Sequence, residues 1–199
     1  MYDRKYSKVV LPKDDWLIQR DKLADLVIKT LAIDSKDMVL DIGCDNGFVQ
    51  QKVARVARKV VGIDINPDAL KEHCGGEAMV MDATKLVFPS SSFDKIYSLH
   101  TIEHIKDLQS VFHEVDRVLK PGGLAFFVYP WELFRGMAHA RGAWKIHRNP
   151  FLGYRFHVHR LTPKKVLKFA SGTNLRHVKS GLIFMRTPQW TTLFEKQGE

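Results

Sequence analysis

Apolar positions along this chain form short continuous runs that are separated by stretches with helical spacing. Met38, Val39, Leu40 and Ile42 make one such run, which is typical of a buried parallel strand. Residues 14–32 carry Trp16, Leu23, Val27 and Leu31 at the spacing of one helix face, and residues 106–119 repeat that pattern before Pro121 and two glycines. The pattern predicts an α/β protein.

The first strand is followed by a glycine-rich turn and a helix-like stretch, in residues 39–60. Gly43 and Gly47 let the backbone turn sharply and come close to a ligand. The stretch FVQQKVARVARKV behind them predicts a helix whose N-terminus offers free N–H groups and a positive dipole end. We expect Asp41 to add a fixed negative charge to this crevice. Asp64, which ends the next apolar run, could accept both hydroxyls of a ribose.

The turn itself argues against a dinucleotide. A nicotinamide-binding fingerprint has the form GxGxxG, but residues 43–47 read Gly, Cys, Asp, Asn, Gly. The carboxylate of Asp45 would repel a pyrophosphate. The sequence therefore favours a nucleoside cofactor without that group.

The turn resembles motif I of the class I S-adenosylmethionine-dependent methyltransferases, (D/E)xGxGxG. Asp41, Gly43 and Gly47 match it, and Asp45 stands where the middle glycine normally lies. Similar segments follow in the family's order up to about residue 130: VVGIDIN, MVMDATKLVFPSSSFD, FDKIYSLHTIEHI, VLKPGG and LAFFVYP. Residues 157–196 resemble the family's last helix and its sixth and seventh strands.

The resemblance implies a three-layer α/β sandwich with a Rossmann-like, seven-stranded, mostly parallel sheet. The implied strand order is 3-2-1-4-5-7-6, with the last strand antiparallel. The implied cofactor is S-adenosyl-L-methionine, and the enzyme would be a methyltransferase. The cofactor-binding residues carried over are Asp41, Gly43, Cys44, Asp45, Gly47, Asp64, Ile65, Asp82, Ala83, Leu99 and His100.

Four residues near the expected acceptor side are candidates for catalysis. His100, Glu103 and His104 follow the fourth strand, and Tyr129 ends the fifth strand beside them. A general base is needed only where the acceptor must lose a proton. Alternatively, Glu103 caps the helix that it begins, and His104 is a packed side chain without a chemical role.

The length of 199 residues, with 45% hydrophobic content, predicts a single domain over residues 1–199. Within it, residues 1–36 are expected to form an N-terminal helical cap. Residues 131–160 interleave aromatic and basic side chains, which predicts a lid over the acceptor. The alternative is a solvated loop whose aromatic rings pack onto the domain.

The net charge of +9 suits nucleic acid, anionic membranes and acidic small molecules alike. Because SLHT replaces the NPPY or DPPY tetrapeptide used to methylate adenine, nucleic acid is possible but not favoured. We expect a small-molecule or lipid acceptor that carries an anionic or aromatic group. An RNA or protein methyltransferase, and a cofactor-binding domain without catalysis, remain alternatives. The sequence leaves the oligomeric state open.

Metal, thiol and membrane roles are not expected. His100 and His104 lie four apart and His157 and His159 two apart, but HTIEH is not HExxH and spacing fixes no third ligand. The two cysteines form no CxxC pair, which favours a structural or incidental role. No uninterrupted apolar stretch is long enough for a membrane span and the N-terminus is not a signal peptide, so we expect a cytoplasmic protein.

Overall fold

The computed structural model describes residues 13–133, 144, 148–149, 157–185 and 187–198, with side chains from residue 18 onward. Seven strands in this part of the chain form one sheet in the order β3-β2-β1-β4-β5-β7-β6. The strands β1 to β5 are parallel, and β7 runs antiparallel to both of its neighbours. The predicted fold class and strand order are confirmed. The strands are β1 Met38–Ile42, β2 Lys59–Asp64, β3 Glu77–Val80, β4 Phe93–Leu99, β5 Leu119–Pro130, β6 Leu175–Phe184 and β7 Pro188–Lys196.

Three of the helices begin at capping side chains. Asn66, Asp107 and Thr162 each accept a hydrogen bond from a backbone N–H in the first turn that follows. The helix predicted over residues 48–60 ends at Val53, because the chain turns there and β2 begins at Lys59. The helices are α1 Lys13–Leu31, α2 Phe48–Val53, α3 Pro67–Leu70, α4 Leu108–Val118 and α5 Pro163–Phe169.

The sheet has a separate apolar core on each face, which gives the three layers. Along β1 the side chains alternate, so that Leu40 and Ile42 join the core beneath α4 and α5. Val39 lies in the opposite core, which packs against α1 and α2. Burial on both faces explains why the central strands are mainly apolar.

The loops that follow β1, β2, β4 and β5 leave the sheet at one edge, because these strands are parallel. Ligands of such folds bind outside the carboxyl ends of the strands. The functional residues predicted from the sequence lie near the carboxyl ends of the parallel strands or in the loops that follow them. The predicted lid over residues 131–160 lies mostly outside the described residues, as does the beginning of the predicted cap over residues 1–36.

Within the described residues, no helix combines the length and the apolar character that a membrane crossing requires.

Candidate functional site

The loop between β1 and α2 depends on two glycines. Gly43 and Gly47 have φ angles of 80° and 77°, in the left-handed region that favours glycine. A Cβ atom on Gly43 would lie 2.1 Å from Oγ1 of Thr101, and one on Gly47 would lie 2.3 Å from Cε1 of His73. The loop therefore packs too closely on its neighbours for any larger residue at these two positions.

Asp45 fills the place of the missing middle glycine in a left-handed conformation, with a φ angle of 49°. Aspartate tolerates this conformation better than most residues. Its Oδ2 atom forms an ion pair with the guanidinium of Arg20 on α1, at 2.6 Å, and the same guanidinium donates to Oδ1 of Asn46 at 2.7 Å. The negative charge that departs from the family motif is therefore balanced within the protein itself.

The carboxylate of Asp64 ties the loop after β1 to the loop after β2. Its Oδ2 accepts the backbone N–H of Asp45 at 3.0 Å, and its Oδ1 accepts that of Asn66 at 2.8 Å. Burial raises the pKa of Asp64, and the two amide hydrogen bonds oppose that shift. Each carboxylate oxygen keeps a second lone pair, so Asp64 can still accept ribose hydroxyls.

Asp41 does not place a fixed negative charge in the crevice, which corrects the expectation from the sequence. Its side chain is only 3% exposed, on the sheet face covered by α1, and its Oδ2 accepts the hydroxyl of Tyr97 at 2.8 Å. Burial raises the pKa of Asp41 to about 7, although the hydrogen bond from Tyr97 lowers it. The carboxyl supports β1 and β4 from within the core.

The loops after β2 and β3 carry three of the residues that the resemblance implies bind the cofactor. Ile65 is 59% exposed directly after Asp64, so its apolar side chain is open to a ligand at the strand end. Asp82 is exposed, and its Oδ1 accepts hydrogen bonds from the backbone N–H and the hydroxyl of Thr84, both at 2.8 Å. Ala83 is buried.

The two cysteines do not act together. Cys44 is buried and Cys74 is exposed, and both are free thiols. Burial raises the pKa of the Cys44 thiol. Cys44 is therefore a packed side chain of the loop and not a reactive thiolate.

The loop after β4 brings three of the predicted catalytic residues together. His100 follows Leu99 in a left-handed conformation, and its Nδ1 lies 3.7 Å from Oε1 of Glu103. Glu103 and His104 belong to a short 3-10 helix, Ile102–His104, in which Glu103 is buried and His104 is half-buried. Burial alone would raise the pKa of Glu103, but the contact with His100 and the nearby imidazoles hold it below its usual range.

Tyr129 does not reach this group, which corrects its predicted catalytic role. The side chain is fully buried in the core beneath α4, and its hydroxyl shares a hydrogen bond of 2.8 Å with Oγ1 of Thr192 on β7. Its position along β5 directs the side chain into the sheet packing, not toward the strand end. Burial also raises the pKa of Tyr129.

A family profile described as "Methyltransferase domain" matches residues 40–127. This range runs from β1 to β5, so it contains the glycine loop and the loop after β4. Residues 40–127 therefore carry a methyltransferase domain, which confirms the resemblance to the class I S-adenosylmethionine-dependent methyltransferases. The cofactor of the family, S-adenosyl-L-methionine, is the one predicted from the sequence.

Similar methyltransferases are found among both sequences and structures. The sterol 24-C-methyltransferase of Eremothecium gossypii is 34% identical over 115 residues, which make up 50% of this chain and 29% of that protein. The chain thus spans less than a third of the length of this curated relative. The N-methyltransferase NodS of Bradyrhizobium japonicum, solved with S-adenosyl-L-homocysteine, superposes with a TM-score of 0.64 and 17% identity, covering 89% of this chain and 85% of NodS.

The same fold also serves a different reaction. The [4+2]-cyclase SpnF superposes with a TM-score of 0.72 and 15% identity, over 89% of this chain and 81% of SpnF. At this identity the superposition shows the fold alone. The residues of the site, not the fold, therefore have to carry an argument about the reaction.

The methyltransferase site includes residues that the sequence did not indicate. Arg20 was not predicted, because the helical pattern of α1 does not reveal which of its cations reaches the loop. His157 and Glu132 lie within ion-pair distance, with 3.0 Å between Nδ1 and Oε1. In the sequence, His157 is marked only by its pairing with His159 two residues later. This spacing does not predict that His157 lies beside Glu103.

Proposed function

We propose that the protein transfers a methyl group from S-adenosylmethionine to a small-molecule or lipid acceptor. The main support for this proposal is an ion pair at the loop between β1 and α2. The guanidinium of Arg20 lies 2.6 Å from the carboxylate of Asp45 and balances its charge. Without this ion pair, the carboxylate of Asp45 would be unbalanced and would repel the carboxylate at the methionine end of the cofactor.

The residues at the strand ends fit the chemistry of this cofactor. Asp64 has lone pairs left for the ribose hydroxyls, Ile65 offers an exposed apolar surface for the adenine, and Asp82 can accept from its amino group. When bound, S-adenosylmethionine would supply a methyl group on a positively charged sulfur: an electron pair of the acceptor would bond to the methyl carbon in line as the carbon–sulfur bond breaks and S-adenosylhomocysteine leaves. Positioning and a water-poor site contribute most of the acceleration of such a reaction.

The loop after β4 supplies groups for the acceptor. The carboxylate of Glu103 is buried and its pKa is lowered, so it is ionised near neutral pH. His100 beside it is partly exposed. These two groups could orient an acceptor hydroxyl or amine and receive its proton if the acceptor must lose one.

The relatives favour a lipid among the possible acceptors. Several of the similar curated proteins are sterol C-methyltransferases, including the one from Eremothecium gossypii. A net charge of +9 would also attract the protein to anionic lipid surfaces. A sterol or another lipid of limited polarity is thus the first acceptor class to test.

The test is transfer of a labelled methyl group from S-adenosylmethionine to fractionated lipids and polar metabolites. We expect label in one extractable lipid or small-molecule fraction, with loss of transfer in the Asp64→Ala variant. Asp68→Ala on α3 is the matched control, because Asp68 is a nearby acid whose side chain pairs with Lys71 on the surface. Cofactor binding without transfer to any fraction would instead support a cofactor-binding domain without catalysis.

RNA methylation is the second candidate, and the net charge of +9 is the observation that favours it. An RNA acceptor predicts binding that weakens steeply as salt is added, because phosphate contacts release counterions. Label that appears in RNA, together with this salt dependence, would replace the lipid acceptor.

A further inference from the structure

Three potential metal ligands meet at the end of β4. Glu103, His104 and His157 each place one ligand atom within 4.8 Å of the others. Glu103 and His104 are neighbours in the chain, but His157 comes from a distant segment after β5. The sequence spacing predicted no third ligand, and the fold supplies one.

The backbone holds His157 in this position. The carbonyl oxygen of Glu103 accepts the N–H groups of Val158 at 2.9 Å and of His159 at 3.1 Å. These two bonds fasten the segment that carries His157 to the short 3-10 helix. The imidazole rings of His104 and His157 also pack edge to face, with 5.0 Å between their centroids.

A second carboxylate, that of Glu132, lies next to His157. Its Nδ1 lies 3.0 Å from Oε1 of Glu132, and both side chains are buried. A metal-ligating histidine usually directs its other ring nitrogen at a carboxylate or a carbonyl, which fixes the ring and makes the ligand more basic. Glu132 is placed to give His157 this kind of support.

The carboxylate of Glu103 gives an independent indication of a ligand. Its side chain is 2% exposed, and within the described residues its Oε2 atom is buried without a hydrogen-bond partner. A buried carboxylate oxygen in this state costs free energy unless something compensates it. Glu103 and Glu132 together bring two buried acids to one cluster, a charge that a divalent cation would balance.

We propose that Glu103, His104 and His157 bind a divalent transition-metal ion. Two imidazoles and one carboxylate form a ligand set that suits Zn²⁺ and related ions and leaves coordination positions open. Small side-chain rotations would bring the ligand atoms to the separation of about 3.3 Å that metal–nitrogen distances near 2.0 Å require in a tetrahedral site. The open positions would take an oxygen or nitrogen atom of the acceptor. This last role rests on the proposed function, whereas metal binding does not.

The test is titration of the full-length, tag-free, chelator-treated protein with Co²⁺, followed by visible absorption, and competition with Zn²⁺. We expect saturable binding of one equivalent and a visible band typical of nitrogen and oxygen ligands. Glu103→Gln and His104→Gln should each weaken Co²⁺ binding at least about 10-fold to 100-fold, and Glu132→Gln should weaken it by a smaller factor.

His113→Gln is the matched control, because this histidine is exposed on α4, away from the cluster. Thermal unfolding verifies that each variant folds, and the wild-type protein should also unfold at a higher temperature with Zn²⁺ than with chelator. Absence of saturable Co²⁺ binding to the wild-type protein would overturn the proposal. Equal affinities in the Glu103→Gln, His104→Gln and His113→Gln variants would overturn it as well.

The two proposals can fail separately. If S-adenosylmethionine binds and Co²⁺ does not, only the metal site is overturned. If Co²⁺ binds and S-adenosylmethionine does not, the metal site stands and the methyl-transfer function falls.

Discussion

The guanidinium of Arg20 pairs with the carboxylate of Asp45 across the space between α1 and the loop after β1, at 2.6 Å. Asp45 stands where the family motif normally has glycine, and Arg20 balances the negative charge that this departure adds. The second guanidinium nitrogen bonds Asn46 in the same loop. Helix α1 therefore contributes charge to the cofactor site in addition to covering the sheet.

Removal of Arg20 should weaken cofactor binding. In Arg20→Met the carboxylate of Asp45 loses its partner and would repel the carboxylate of the methionine end. Because both side chains are partly exposed, we expect a loss of roughly tenfold in affinity for S-adenosylmethionine. Titration calorimetry measures this loss.

A double variant controls for damage to the helix. Arg20→Met combined with Asp45→Gly removes the unbalanced charge and restores the family glycine, so affinity should return toward the wild-type value. Affinity that stays low in the double variant would show that Arg20 acts by holding α1 in place and not by compensating Asp45.

A methyl group at Gly43 should destabilise the protein more than one at Gly122. The two glycines have similar φ angles of 80° and 75°, so alanine costs similar backbone strain at both. A Cβ on Gly43 would overlap Thr101, whereas a Cβ on Gly122 meets nothing within 4 Å. We expect Gly43→Ala to lower the free energy of unfolding by about 1–3 kcal/mol more than Gly122→Ala in urea denaturation. Equal losses would mean that the loop can move away from Thr101.

Asp41 should make the protein less stable as the pH rises. Its pKa is about 7 in the folded state against 3.8 ordinarily, so the folded protein keeps a proton that the unfolded chain has released. Stability is therefore lost between these two pH values, up to about 4 kcal/mol in total. Relative to the wild type, Asp41→Asn should gain about 2–3 kcal/mol between roughly pH 5 and pH 8, measured by urea denaturation. A stability difference that does not change with pH would refute the raised pKa.

Tyr129→Phe should leave methyl transfer nearly unchanged. The hydroxyl that it removes is buried against Thr192, which has Ser180 as a second partner at 3.2 Å. Loss of this hydrogen bond should cost about 1 kcal/mol of stability. A large fall in kcat, with stability preserved, would instead show that the hydroxyl of Tyr129 takes part in catalysis. Glu103→Gln serves as the comparison, because its carboxylate lies in the group after β4.

Sequence patterns were sufficient for the fold. Mainly apolar strands such as β1 and the helical stripe of α4 are local features that also determine packing. The ordered family segments predicted the strand order. The end of α2 was predicted too late, because Val60 fits a helix and a strand equally well until its neighbours in the sheet are known.

The site was less predictable because it depends on side-chain direction. The position of a residue near a strand end predicted where Asp64 and Glu103 lie in the fold, but it did not predict that the side chains of Asp41 and Tyr129 turn into the core. The contact of Arg20 joins two distant segments. The sequence supplied the residue types, and the tertiary packing determined which of them meet.

Titration calorimetry of the full-length protein with S-adenosylmethionine tests most directly whether the loop from Gly43 to Gly47 is a cofactor site. We expect saturable binding in the micromolar range that weakens in Arg20→Met and in Asp64→Ala. No binding at millimolar cofactor, in protein whose folding is verified by thermal unfolding, would contradict it.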